Sequence, residues 1–124
     1  MGDFRKLEVW RKSQELVTSV YQVTSTLPSA ERYGLCSQMR RAVVSVLANL
    51  AEGCGRMGDT ELRRFVRISL GSLGELECEL LLAKNLQFLN PQIVDATVGE
   101  IHRVRGMLQS LHLKLPATPG HPRS

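Results

Sequence analysis

Aromatic residues make up only 5% of this 124-residue chain: three Phe, two Tyr and one Trp. That is lean for a β-sandwich or barrel, which draws on aromatic and β-branched residues. The three cysteines, Cys36, Cys54 and Cys78, cannot all pair and show no C-x-x-C spacing. This speaks against a disulfide framework and leads us to expect reduced thiols in a cytoplasmic protein. No apolar run reaches the roughly 18 residues of a membrane span, so no membrane partner is expected. The opening Met1-Gly2-Asp3-Phe4-Arg5-Lys6-Leu7 has no apolar stretch of signal-peptide length. Lys6 also stands where a myristoylation motif needs Ser or Thr.

Catalytic constellations are equally scarce. A di-iron bundle needs Glu-x-x-His pairs, but the residues three before His102, His112 and His121 are Gly99, Gln109 and Thr118. Those histidines are too scattered for a compact metal set. There is no G-x-x-x-x-G-K-S/T loop, and no local signature of a Cys nucleophile beside a His. Gly53-x-Gly55-x-x-Gly58 matches the dinucleotide string G-x-G-x-x-G, but it follows no strand and reads as a turn. The chain is therefore expected to be no enzyme and to hold no metal or cofactor.

What the chain does have is helical periodicity, four times over. The first stripe is Leu7, Trp10, Val17, Val20, Tyr21 and Thr24, with Trp10 and Tyr21 expected in the core, and it ends at Leu27-Pro28. The second begins around Ser29 to Gly34 and runs through Leu35, Met39, Ala42, Val43, Val46, Leu47 and Leu50. It is expected to break in Gly53-Cys54-Gly55-Arg56-Met57-Gly58. Asp59 reads as the N-cap of the third, whose stripe is Leu62, Phe65, Val66, Ser69, Leu73, Leu76, Leu80 and Ala83 and whose end falls near Leu89. Asn90-Pro91 opens the fourth, marked by Val94, Val98, Ile101, Val104, Leu108 and Leu111. Short connections favour antiparallel neighbours. The expected fold is all-α: one up-down-up-down antiparallel four-helix bundle over residues 1–115, followed by a flexible C-terminal tail, 116–124.

The second helix carries more apolar circumference than one bundle face needs. On a helical wheel Val44, Ala48 and Ala51 form a face beside the core stripe, while Arg41, Ser45, Asn49 and Glu52 lie on a polar one. The third helix adds Leu70, Leu81 and Leu82 outside its stripe. Such a helix is normally covered by more than its own bundle, which points to self-association. Gly71 and Gly74 admit a close neighbour from the same bundle or from a second subunit. Arg41, Val44, Ser45, Ala48, Asn49, Ala51 and Glu52 are thus candidate interface residues, with phosphate contact as the alternative for Arg41, Asn49 and Glu52.

The chain carries a net charge of +4. Arg40, Arg56, Arg63, Arg64 and Arg67 are the candidate nucleic-acid contacts, because guanidinium forks pair phosphate oxygens without reading sequence. An antiparallel pair of helices brings Arg56, Arg63 and Arg64 to one end of the bundle. A solvated face is the alternative for Arg63, Arg64 and Arg67, and Glu52–Arg56 and Glu61–Arg64 have the spacing of helical ion pairs. Glu75, Glu77 and Glu79 read as a solvated face or as partners for Arg40. The arginines are not expected to work with aromatic platforms that stack bases.

Several blocks together carry a family resemblance. They are Phe4-Arg5-Lys6-Leu7-Glu8-Val9-Trp10, Leu27-Pro28, Glu31-Arg32-Tyr33-Gly34-Leu35, Ser37-Gln38-Met39-Arg40-Arg41-Ala42-Val43-Val44-Ser45, Asn49-Leu50-Ala51-Glu52-Gly53 with Arg56, and Gly71-Ser72-Leu73-Gly74-Glu75-Leu76-Glu77. Their order and spacing resemble the bacterial four-helix-bundle family whose founding members are encoded in intervening sequences of 23S ribosomal RNA genes. The resemblance implies a cytoplasmic bundle that assembles into a ring-like homopentamer without an established activity. A distantly similar accessory protein of diversity-generating retroelements, a basic pentamer that binds nucleic acid and a reverse transcriptase, suggests RNA or DNA as a partner by analogy. The expected function is a non-enzymatic oligomer that binds RNA or DNA through its arginines. The alternative is a scaffold for a protein partner without nucleic acid.

Overall fold

A computed structural model describes Phe4, residues 7–56 and residues 58–117. Four helices account for most of them: α1 (Glu8–Thr24), α2 (Ser37–Gly55), α3 (Asp59–Asn85) and α4 (Pro91–Leu113). There is no strand among the described residues. The expected tail falls mostly on Thr118–Ser124, outside them. Contacts link α1 to α2, α2 to α3, α3 to α4 and α4 back to α1, a closed square of helices. Cross-helix pairs show the direction. On α2 and α3, Ser45 meets Ser72, Val46 meets Ser69 and Gly53 meets Phe65, so one number rises as the other falls. On α3 and α4, Lys84 meets Asp95 and Glu77 meets His102, so this pair is antiparallel too. Among the described residues no helix is long and apolar enough to cross a membrane.

The core stripes of α2, α3 and α4 lie close to where periodicity puts them. Leu73, Leu76, Leu80, Ile101 and Leu108 are fully buried, along with Val43, Val46 and Leu50. Leu47, Val98 and Leu111 are only half-buried, and Thr97 takes a core place on α4. The stripe of α1 differs more. Its buried seam is Val9, Ser13, Leu16, Val20 and Thr24. Trp10 and Val17 flank the seam half-buried, and Tyr21 is exposed. Ser13 and Thr24 hide in the seam because each hydroxyl donates to a carbonyl one turn back, Val9 and Val20, at 2.7 Å. A satisfied hydroxyl is tolerated in a core where an unsatisfied one is costly.

Helix boundaries follow local chemistry. Between α1 and α2 come a 3-10 turn, Ser29–Glu31, and a wide π-type turn, Arg32–Cys36, so α2 proper starts at Ser37. α2 ends at Gly55, within the expected Gly53–Gly58 stretch. The residue capping α3 is Gly58, at φ 99°, a conformation that side chains resist. Asp59 is therefore the first helical residue rather than the cap, and it still faces the positive end of the helix dipole. α4 starts as expected: the Asn90 side chain accepts from the Gln92 N–H at 2.8 Å, and Pro91 sits where no N–H is needed.

α3 ends at Asn85, short of Leu89, in a Schellman-type turn. The Phe88 N–H reaches the Ala83 carbonyl at 2.9 Å and the Gln87 N–H reaches Lys84 at 3.0 Å. Gln87 occupies the left-handed slot at φ 63°, where glycine is unstrained. Gln87→Gly is expected to stabilise the bundle by roughly 0.5–1 kcal/mol, read as a higher urea midpoint.

Candidate functional site

Small side chains let α2 and α3 approach closely. Ser69, fully buried, donates to the Val46 carbonyl at 2.9 Å. One turn along, the Ser45 and Ser72 hydroxyls meet at 2.9 Å, and the Asn49 amide donates to both the Ser45 carbonyl and hydroxyl at 2.9 Å. This seam forms part of the lining of an open groove of about 1110 Å³ along α2. Arg41, Val44, Ser45, Ala48 and Asn49 all line it, together with Tyr33. Val44 is 42% exposed and Tyr33 89%. The bundle therefore leaves uncovered the apolar face that the wheel placed beside the core stripe. Leu81 and Leu82 are exposed on α3 as well, whereas Leu70 packs against the core. Among the described residues nothing lies within 4 Å of a Cβ built on Gly71 or Gly74, so their small size admits no neighbour from the same bundle.

The polar network expected of Arg41, Ser45, Asn49 and Glu52 splits in two. Ser45 and Asn49 belong to the serine seam, while Glu52 turns to Arg56 at 2.7 Å. Among the described residues no hydrogen bond ties Arg41 to either group, and half-buried Ala51 lies outside the groove lining.

The five candidate arginines also sort by what they touch. Arg40 turns to α1 rather than to Glu75, Glu77 or Glu79. Its Nε donates to the Thr24 hydroxyl at 2.9 Å, and its guanidinium lies 4.4 Å from the centroid of the Tyr21 ring. Tyr21 meets this cation at the surface, 40% exposed. Arg56 and Arg64 do share one end of the bundle, as antiparallel packing requires. Their guanidinium carbons lie 5.4 and 4.7 Å from the centroid of Phe65, the aromatic set between Arg64 and Arg67 in the sequence. Phe65 is only 7% exposed and offers no face to a base. Each of these two arginines also has its own glutamate, Glu52 and Glu61, the latter at 3.1 Å. Among the described residues Arg63 and Arg67 have no ion pair. They lie instead near His112 of α4, whose pKa is lowered by burial and then by these two cations.

Glu77 and Glu79, expected on a solvated face or beside Arg40, take other places, and the sequence reading gave His112 no part beside the arginines. Glu77 takes Arg105 at 2.5 Å and His102 at 3.3 Å, and the Arg105 hydrogen bond holds its pKa below the usual carboxylate range. His112 joins the arginines only through the α3–α4 register. Glu79 is 7% exposed, and burial first, then neighbouring Glu75, push its pKa up to about 7. Its spacing from Leu76 and Ala83 was the available signal, since all three fall on the buried side of α3. Among the described residues no three His, Cys, Asp or Glu side chains are grouped to hold a metal.

The chain matches the family model described as 23S rRNA-intervening sequence protein over residues 5–110. It is also similar to a crystal structure of a protein of unknown function from the S23 ribosomal protein family of Bacteroides thetaiotaomicron. The two are 18% identical, and the superposition covers 84% of this chain and 97% of that one with a TM-score of 0.78, a likeness that speaks to fold alone. No curated protein matches the chain. The family match takes in all of α1, α2 and α3 and most of α4, and by it this four-helix chain belongs to the 23S rRNA-intervening sequence protein family.

Proposed function

We propose that this protein is a non-enzymatic, cytoplasmic bundle whose copies associate through the α2–α3 face and present arginines to nucleic-acid phosphates. The observation that carries the reading is the uncovered groove, in which Val44 is 42% exposed beside exposed Ala48 and a floor of serines. An apolar, small-residue face of this kind suits a second helix at close range. The assembly implied by the family resemblance is a homopentamer, and a ring of five multiplies the +4 of each chain. Arginine contacts to phosphate then give weak, salt-sensitive binding to RNA or DNA with little sequence preference.

Ala48→Glu places a charge in the groove and is expected to convert an oligomer to a monomer in sedimentation velocity at micromolar concentration. A wild type that already sediments as a monomer removes the assembly. For the second half, filter binding at low salt is expected to retain RNA or DNA, with affinity falling steeply as salt rises. No retention favours the competing reading, a scaffold for a protein partner. The engagement of Arg40, Arg56 and Arg64 by groups of their own chain supports that second reading.

A further inference from the structure

Ten residues separate Arg67 from Glu77 along α3, and ten separate His102 from His112 along α4. The helices are antiparallel and Glu77 touches His102 at 3.3 Å. The same register therefore sets Arg67 beside His112, about 15 Å further along the seam. Arg63 lies one turn beyond on the same face of α3.

The charge pattern changes over that distance. At the middle of the seam one carboxylate, Glu77, answers both Arg105 and His102. At its end Arg63 and Arg67, one turn apart on α3, lie near enough to His112 of α4 for their charges to act on it, with no carboxylate paired to either arginine among the described residues. Glu61, in the first turn of α3, is held by Arg64. Asp59, one turn before Arg63, makes no ion pair with it. Two atoms here are shielded from solvent and lack any hydrogen-bond partner: Nε of Arg63 and Nε2 of His112. A buried polar atom left without a hydrogen bond costs about 1–3 kcal/mol, which is why such atoms are rarely left without a partner.

We propose that Arg63, Arg67 and His112 form a binding site for a phosphate-type oxyanion. The two guanidinium forks match pairs of anionic oxygens, and the imidazole nitrogen supplies a further donor from the facing helix. The site deepens the proposed function and rests on that reading only for the source of the phosphate, a nucleic-acid backbone rather than the free ion. It divides the candidate arginines. Arg63 and Arg67 contact phosphate, while Arg56 and Arg64 cover Phe65 and hold the α2–α3 end together.

The test uses the full chain. The His112 imidazole is followed by NMR through a pH titration in inorganic phosphate, with chloride at equal ionic strength as control. Phosphate is expected to raise the His112 pKa saturably, because a bound anion favours the imidazolium. Arg63→Gln/Arg67→Gln is expected to abolish the rise. In parallel, fluorescence anisotropy with labelled RNA at low salt is expected to show about tenfold weaker binding for Arg63→Gln/Arg67→Gln. Arg56→Gln/Arg64→Gln should change it less than about threefold. Identical His112 titrations in phosphate and chloride overturn the site, even if RNA binds. Equal RNA losses in the two double variants overturn the division of the arginines. A phosphate-dependent shift in a protein that retains no RNA or DNA upholds the site and removes the nucleic-acid reading instead.

Discussion

Gly53→Val is expected to lower the thermal midpoint by roughly 10 °C, the effect of about 3 kcal/mol in a domain of this size. Gly53 lies where α2 meets α3. A Cβ there would stand 2.8 Å from the Phe65 Cβ, 3.0 Å from the Leu62 Cδ1 and 3.3 Å from the Leu62 Cα. The first and last of those atoms belong to or adjoin the α3 backbone, so no side-chain rotation relieves the clash. The helices must separate instead. Separation loosens Phe65, over whose ring the Arg56 and Arg64 guanidinium groups lie. It also lengthens the Ser69 bond to Val46, about two turns away. Circular dichroism at 222 nm measures the midpoint. Gly55→Ala is the control, because nothing lies within 4 Å of that position. It should leave the midpoint unchanged or slightly higher. A valine variant that melts with the wild type would mean that α2 and α3 do not pack this tightly. Since the groove is walled by both helices, the same substitution should widen it and weaken assembly.

Glu79→Gln should stabilise the protein at pH 8 by about 2–3 kcal/mol and change little at pH 5. Glu79 is 7% exposed, and its Oε1 has no hydrogen-bond partner. Burial, then the charge of Glu75 and a hydrogen bond with it, raise its pKa to about 7 from an ordinary 4.5. The sign follows from proton binding. Between those values the folded protein holds a proton that the unfolded chain releases. The favourable contribution is complete below about pH 4.5 and is lost as pH rises through about 7. Above that, an ionised carboxylate sits buried without a compensating cation. Glutamine keeps the shape and does not titrate, so the difference between variants isolates this one group. Urea unfolding at both pH values gives the comparison. A stability difference that stays flat between them would show that another group already neutralises the carboxylate.

Much of this was legible in the chain itself, and particular residues show why. Leu62, Phe65, Val66, Ser69, Leu73, Leu76, Leu80 and Ala83 repeat at helical spacing, and all eight are buried. Asn90-Pro91 is a local signal for a helix start and works as one. The excess apolar face of α2 was also visible, and Val44 is indeed left exposed. α1 was harder to read because its seam uses Ser13 and Thr24, whose hydroxyls bond back to their own helix. A reading of polarity alone sends those residues outward and pulls Tyr21 inward. Helical spacing already marked the Glu52–Arg56 and Glu61–Arg64 pairs. It did not show that Arg64 stacks on Phe65 or that Arg63 and Arg67 lie near His112.

The division has a physical basis. Helix number, order, most core stripes and the family come from the chain alone, because periodicity and capping depend on residues within a few positions of one another. Which arginine and histidine Glu77 meets, and which histidine Arg63 and Arg67 lie near, depend on residues far apart in the chain. Those contacts exist only once the antiparallel registers of α2–α3 and α3–α4 bring them within a few ångströms, where short-range electrostatics and desolvation set their chemistry.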